Sequence, residues 1–125
     1  MVGMLKKEEK LRVIFVTKND HKFMEAKAIA YNMGIMLIQS PIRKIEIQSS
    51  NLEDIALFSS RSVRKYLQHK TYIVEDAGLF IESLNGFPGP YSSYVYKTIG
   101  CNGILKLLSN VNERRATFKS VVILY

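Results

Sequence analysis

Cysteine and long apolar runs are what this sequence most lacks. Cys101 is the one cysteine in 125 residues, which excludes an intrachain disulfide and a zinc site built from several cysteines. No apolar run approaches the ~20 residues that cross a bilayer. The segment 13–16, which follows several basic residues, is too short for the core of a signal peptide. We therefore expect a soluble, cytoplasmic protein without a membrane partner.

Acidic residues are also scarce relative to basic ones. The chain has 18 lysines and arginines against 11 aspartates and glutamates, for a net charge of +7. This excess indicates an anionic partner, and charge alone leaves nucleotide, nucleic acid and anionic membrane open. The basic residues are scattered, however, and no basic stripe interleaved with base-stacking aromatics is present. We therefore rank nucleic acid low among the partners.

The remaining composition is that of one globular domain. Hydrophobic residues make up 47% and charged residues 23% of the chain, which suits a single core. We expect residues 1–10 to form a flexible N-terminal extension and residues 11–125 a single domain. Apolar runs alternating with helical periodicity predict an α/β fold, a mixed twisted sheet flanked by helices. Strands are predicted at Leu11–Val16, Ile35–Ile38, Thr71–Glu75, Leu79–Ser83 and Ala116–Tyr125, and helices at His21–Met33, Ser50–Gln68, Tyr91–Thr98 and Asn102–Ser109.

Two adjacent carboxylates follow the predicted strand that ends near residue 75. The stretch Glu75-Asp76-Ala77-Gly78-Leu79 delivers them to what we interpret as a glycine turn. Carboxylate oxygens beside flexible backbone suit a magnesium ion, which binds one or two carboxylates together with substrate phosphates. The alternative is an ordinary strand-turn-strand with solvated acids at its tip.

A second motif spans the end of the first strand and the start of the first helix. Thr17, Asn19, Lys22 and Glu25 form the pattern T-x-N-x-x-K-x-x-E. A helix N-terminus offers unpaired N–H groups and positive partial charge, so it suits a phosphate. Lys22 would add a full positive charge. The alternative is a helix capped by Asn19 with a surface Lys22–Glu25 pair.

These two motifs, together with Leu84-Asn85-Gly86-Phe87-Pro88-Gly89-Pro90-Tyr91-Ser92, occur in the order and spacing of a known family. From about Leu11 to its end the chain resembles the Ham1-type inosine triphosphate pyrophosphatases, and it is most similar to their archaeal branch. The resemblance implies a magnesium-dependent enzyme, commonly a homodimer. Such an enzyme cleaves ITP, dITP and XTP to monophosphate and pyrophosphate and so cleans the nucleotide pool.

The resemblance also assigns roles to individual residues. Asp76 would bind magnesium and accept a proton from the attacking water, and Lys22 would neutralise charge on the phosphates. Glu46 would be a metal ligand, with Glu75 in support. The residues expected to bind the triphosphate are Thr17, Lys18, Asn19 and Lys22, with the backbone of Ala77 and Gly78.

The chain departs from the family pattern in two ways. Ala77 stands where the family usually has a serine, which removes a hydroxyl but leaves the backbone donors. The family also continues past Tyr125 with Gly-Phe-Gly-Tyr-Asp-Pro-type and Ser-His-Arg motifs, so we expect a C-terminally truncated member that lacks the C-terminal part of the fold. The alternatives are a weakly active or inactive nucleotide-binding remnant, and a basic nucleic-acid-binding module.

Overall fold

The computed structural model describes residues 10–125, and the predicted N-terminal extension falls almost entirely outside that range. The division of the chain into an extension and one domain therefore stays a prediction. Within the described residues, no helix has both the length and the apolar character needed to cross a membrane. The elements in chain order are β1 (Leu11–Val16), α1 (Asp20–Asn32), β2 (Ile35–Ser40), α2 (Leu52–Leu67), β3 (Tyr72–Ile81), a 3-10 turn (Glu82–Leu84), β4 (Pro88–Gly89), α3 (Ser92–Thr98), α4 (Gly100–Leu107) and β5 (Ala116–Leu124).

The strands form one mixed five-stranded sheet, which confirms the predicted fold class. Strand β1 pairs in parallel with β2 on one side and with the start of β3 on the other. Strand β4 and strand β5 pair antiparallel with β3. The strand order is β2-β1-β3-β4, with β5 on the remaining edge of β3.

The two long helices cover opposite faces of this sheet. Val13 and Phe15 point to one face, where they pack with Phe23 of α1. Val16 points to the other face and packs with Val63 of α2 and with the β3 side chains of that face. This alternation follows from the two-residue period of a strand. It explains why the β1 run is apolar throughout rather than at every second position.

The strands that follow β1 along the chain are added on opposite sides of it, so the strand order switches direction at β1. From β1 the chain passes through α1 to β2 on one side, and then through α2 to β3 on the other side. Such a reversal opens a crevice beyond the strand ends, and ligands of open α/β sheets bind in crevices of this kind. The crevice expected here is the region between the β1–α1 loop and the part of β3 that extends past β1, which the Lys22–Glu75 ion pair connects.

Our prediction of a glycine turn at residues 77–78 is wrong. Strand β3 runs unbroken through both acidic residues and pairs with β5 along its whole length, from Ile73 opposite Leu124 to Ile81 opposite Ala116. Gly78 is needed for a different reason. A Cβ atom at this position would lie 2.3 Å from the carbonyl oxygen of Gly89 in β4, so only glycine allows β4 to approach.

Candidate active site

The loop between β1 and α1 is held by its own short polar side chains. The buried Thr17 accepts a hydrogen bond at Oγ1 from the N–H of Asn19, at 3.1 Å. Asn19 is the N-cap of α1, and its Oδ1 accepts from the N–H of Lys22 at 3.0 Å. Gln39 at the end of β2 donates through Nε2 to the Thr17 carbonyl. Thr17 and Asn19, two of the predicted phosphate-binding residues, therefore lie in a turn stabilised by side-chain hydrogen bonds. Lys18 lies exposed between them.

The first turn of α1 has backbone N–H groups that can donate hydrogen bonds to an anion. The N–H groups of Asp20 and His21 fall in the first turn, where a helix provides no acceptor, and Asn19 caps only the N–H of Lys22. The carboxylate of Asp20 accepts from Gln39 Nε2 at 2.9 Å. The helix has 13 residues, long enough for its dipole to favour negative charge at this end.

Lys22 is paired across the crevice rather than along its own helix. Its Nζ lies 2.6 Å from Oε2 of Glu75 in β3, so the expected alternative of a Lys22–Glu25 surface pair is wrong. Ser120 of β5 donates to the second oxygen of Glu75, Oε1, at 2.8 Å. The Glu75 side chain is only 12% exposed. Glu75 therefore holds the lysine ammonium at the mouth of the crevice.

The carboxyl group of Asp76 lies on the opposite face of β3 from that of Glu75, because successive strand side chains alternate. Burial raises the pKa of Asp76 above its ordinary value of 3.8. Lys44 opposes this shift most strongly, Glu46 and Glu75 add to it, and Lys22 opposes it weakly. One oxygen, Oδ2, is buried and has no hydrogen-bond partner among residues 10–125. A carboxyl group in this setting is poised to accept a proton or a cation.

Lys44 and Ser120 contact Glu75 in the site, and neither was predicted from the sequence. The Nζ of Lys44 donates to the backbone carbonyl of Glu75 at 3.3 Å and lies 3.9 Å from Oε1 of Glu46. A signal was available, because Lys44 and Glu46 are two residues apart in the alternating segment 42–47 and so share a side of an extended chain. Ser120 had no comparable signal, since its role depends on the register of β5.

The backbone N–H groups of Ala77 and Gly78 point to opposite edges of strand β3. The carbonyl of Glu75 bonds to Lys44 and the N–H of Leu79 bonds to Ser92 Oγ at 2.8 Å, so odd-numbered residues of β3 direct their polar groups away from β5. The alternation puts the N–H of Ala77 on this edge, toward the crevice. The N–H of Gly78 points toward β5. Of the two predicted backbone donors, Ala77 is therefore the better placed.

The predicted metal ligands Glu46, Glu75 and Asp76 meet some of the requirements of a magnesium site. Within residues 10–125, no three histidine, cysteine, aspartate or glutamate side chains converge as a ready-made metal site. Magnesium needs fewer, since it takes one or two carboxylates and completes its shell with phosphates and water. Within the described part of the chain, Oδ2 of Asp76 has neither a hydrogen bond nor an ion pair, and Glu46 is close enough to raise the pKa of Asp76. Oε2 of Glu75 is also buried without a hydrogen bond, but it is ion-paired with Lys22, and Oε1 accepts from Ser120. The metal-binding roles of Glu46, Asp76 and Glu75 stay predictions.

Fold and site together define an α/β protein in which a capped helix N-terminus and a lysine lie beside a carboxylate-bearing strand. Residues 13–125 match the model of the Ham1 family. The chain belongs to this family.

Named relatives agree with that assignment. The chain is 48% identical over 112 residues to a dITP/XTP pyrophosphatase of Hyperthermus butylicus, covering 90% of this chain and 58% of the relative. It is 49% identical over 112 residues to a dITP/XTP pyrophosphatase of Methanopyrus kandleri, with coverages of 90% and 59%. Among solved structures, the Ham1 protein of Staphylococcus aureus superposes with a TM-score of 0.72 at 26% identity, covering 91% of this chain and 62% of that one. The chain thus spans less than two thirds of each of these proteins.

The raised pKa of Asp76 predicts that this residue lowers stability at neutral pH. The folded state keeps the proton at pH values where the unfolded chain, with a pKa near 3.8, has released it. Stability is therefore lost as pH rises from 3.8 through the raised value. We expect Asp76→Asn to raise the melting temperature at pH 7 by a few degrees, and to leave it unchanged below pH 3.8.

Thermal denaturation across this pH range measures the difference. Glu25→Gln is the matched control, because Glu25 is an exposed carboxylate on α1. An Asp76→Asn variant that melts below the wild type at pH 7 would contradict the prediction, and so would a gain that persists below pH 3.8.

Proposed function

We propose that the protein hydrolyses non-canonical purine nucleoside triphosphates such as ITP, dITP and XTP to the monophosphate and pyrophosphate. The observation that carries the proposal is the ion pair beyond the end of β1, where Lys22 at the α1 N-terminus meets Glu75 of the strand that also bears Asp76. The 48% identity to a dITP/XTP pyrophosphatase supports the choice of substrate. The chain spans 58% of the length of that relative, so the same activity is a proposal for this chain.

In the proposed complex, the α1 N-terminus and Lys22 bind the triphosphate. The N–H groups of Asp20 and His21 donate to phosphate oxygens, and the lysine ammonium neutralises their charge. Glu75 restrains that ammonium through the 2.6 Å ion pair. The N–H of Ala77 adds a donor from the strand edge. Thr17, Lys18 and Asn19 complete the loop that encloses the phosphates.

Asp76 is the proposed general base. Its carboxylate takes a proton from a water molecule, whose oxygen attacks the α-phosphorus. The bond from the α-phosphorus to the α–β bridging oxygen breaks, and pyrophosphate leaves with the electron pair. A carboxyl group whose pKa is raised by burial is a stronger base than a solvated one.

We further propose that the enzyme depends on magnesium and works in the cytoplasm. Asp76 and Glu46, supported by Glu75, would hold the ion, which would neutralise phosphate charge and orient the substrate. The unpartnered oxygen of Asp76 supports this assignment. The exposed free thiol of Cys101 is consistent with a reducing compartment.

A homodimer is the proposed assembly. Among residues 10–125, strand β5 pairs with β3 alone, and one of its faces carries exposed apolar side chains: Phe118 is 80%, Val122 57% and Leu124 67% exposed. Apolar surface of this kind marks interaction sites. We expect light scattering to report twice the chain mass of 14.3 kDa, and Val122→Lys to shift the mass toward the monomer. A wild type of monomer mass would contradict the proposal.

Pyrophosphate release from dITP with magnesium tests the proposed reaction. We expect measurable turnover, a preference for dITP over dATP, and a loss of at least about 100-fold in Asp76→Asn, since general-base contributions are ~10²–10⁴-fold. The control is Asp54→Asn, which changes an exposed carboxylate on α2.

Two results would contradict the reaction as proposed. Undiminished turnover in Asp76→Asn would remove this residue from the mechanism. Binding of dITP without any turnover would support the alternative of a nucleotide-binding protein.

A further inference from the structure

Ser120 is a polar residue in an otherwise apolar row of strand β5. The side chains that share its face of the strand are those of Ala116, Phe118, Val122 and Leu124. An apolar side chain would continue this row, so the hydroxyl needs a physical reason. Its contact provides one, since Ser120 Oγ donates to Oε1 of Glu75 at 2.8 Å.

The register of β5 on β3 places this hydroxyl beside Glu75. Ser120 lies opposite Ala77, and Val122 lies opposite Glu75. Ser120 and Glu75 are therefore diagonal neighbours on one face of the antiparallel pair, within reach of a long side chain. A slip of one residue in the register would turn the hydroxyl to the other face. The pairing of the two strands thus fixes the contact.

The carboxylate of Glu75 connects Ser120 to the first turn of α1. The Glu75 side chain is only 12% exposed, and its other oxygen, Oε2, is buried and lies 2.6 Å from Lys22 Nζ. A buried carboxylate is costly unless it is both paired and hydrogen-bonded. Lys22 provides the ion pair and Ser120 provides a charge-assisted hydrogen bond. Side chains from α1, β3 and β5 therefore form one continuous series of contacts.

The Lys22 ammonium depends on this support because its stem is flexible. The Lys22 side chain is 40% exposed, and a lysine carries a point charge on four rotatable carbons. The ion pair selects the rotamers that keep the ammonium beside β3. It uses one of the three ammonium donors and leaves the others for phosphate. A Glu75 carboxylate that was free to rotate would release the ammonium to solvent.

We propose that Ser120 is a positioning residue, whose hydroxyl fixes the Glu75 carboxylate and, through it, the Lys22 ammonium. The inference rests on the proposed function, in which that ammonium binds the triphosphate. Ser120 is itself exposed, so water replaces part of its hydrogen bond when the hydroxyl is removed. The effect of Ser120 is therefore smaller than that of Lys22.

Calorimetric titration with a purine triphosphate analogue that cannot be hydrolysed tests the proposal. We expect Ser120→Ala to bind the analogue about three- to tenfold more weakly than the wild type, because a hydrogen bond to a charged group is lost and only partly replaced by water. Ser120→Thr keeps the hydroxyl and should bind as the wild type does. Thr117→Val is the matched control, since it removes an exposed hydroxyl from the other face of the same strand.

A double-mutant cycle separates positioning from a general loss of structure. Because Ser120 acts through Lys22, Ser120→Ala should weaken binding no further in a Lys22→Met background. Equal fold-losses in both backgrounds would overturn the proposed link. Ser120→Cys, which is similar in size and only a weak donor, replaces the alanine variant should that variant fail to fold.

Acylation of the lysine amines without nucleotide, measured by mass spectrometry, gives an independent reading of the Lys22 position. The Lys22 amine should react faster in Ser120→Ala than in the wild type, because its carboxylate partner is no longer fixed. Lys27, which is exposed on the same helix, should react equally in both proteins.

The outcomes separate this inference from the proposed function. Either an unchanged rate of Lys22 acylation or an unchanged affinity for the analogue in Ser120→Ala would overturn the role of Ser120 alone. Absence of analogue binding by the wild type would overturn the proposed function and the inference with it. Weaker binding in Ser120→Ala that Ser120→Thr restores would support both.

Discussion

The site depends on a difference in strand length. Strand β1 ends at Val16, whereas the neighbouring β3 continues to Ile81. Because β3 is longer, Glu75 and Asp76 lie beyond the end of β1. Glu75 thereby reaches Lys22 in the first turn of α1. Pairing with β5 along this length keeps β3 extended, so the two acids are held in place although no parallel strand within residues 10–125 pairs with them there.

Strand alternation then gives the two acids separate roles. Glu75 points toward α1, where it pairs with Lys22 and accepts from Ser120. Asp76 points toward α2, where burial raises its pKa and the charge of Lys44 opposes this rise most strongly. One strand thus presents the ion pair proposed to bind phosphate on one face and the proposed general base on the other. An adjacent pair of acids at a turn would not separate them in this way.

Much of this arrangement could be predicted from the sequence. The α/β fold followed from apolar runs alternating with helical periodicity, and the family followed from three motifs in order; both are confirmed. The loop at Thr17 and Asn19 was predictable because capping is a local property of the chain. The roles of Asp76 and Lys22 in catalysis stay predictions.

What the sequence could not show depends on contacts between distant segments. Gly78 indicated a turn because glycine is common in turns, but its place is set by the approach of β4. The partner of Lys22 is 53 positions away in β3, farther than any helical spacing rule reaches. Lys44 was predictable only in part: its spacing from Glu46 was a signal, but its contact with the Glu75 carbonyl depends on where β3 lies.

The central claim is that the α1 N-terminus and Lys22 bind the triphosphate. Calorimetric titration with a purine triphosphate analogue whose α–β bridge cannot be hydrolysed, in magnesium buffer, tests this directly. We predict that Lys22→Met binds the analogue roughly 10- to 100-fold more weakly than the wild type, as expected for loss of a charge-assisted hydrogen bond. Lys27→Met, which removes an exposed charge from the same helix, should bind as the wild type does. Equal affinity in the wild type and both variants would contradict the account.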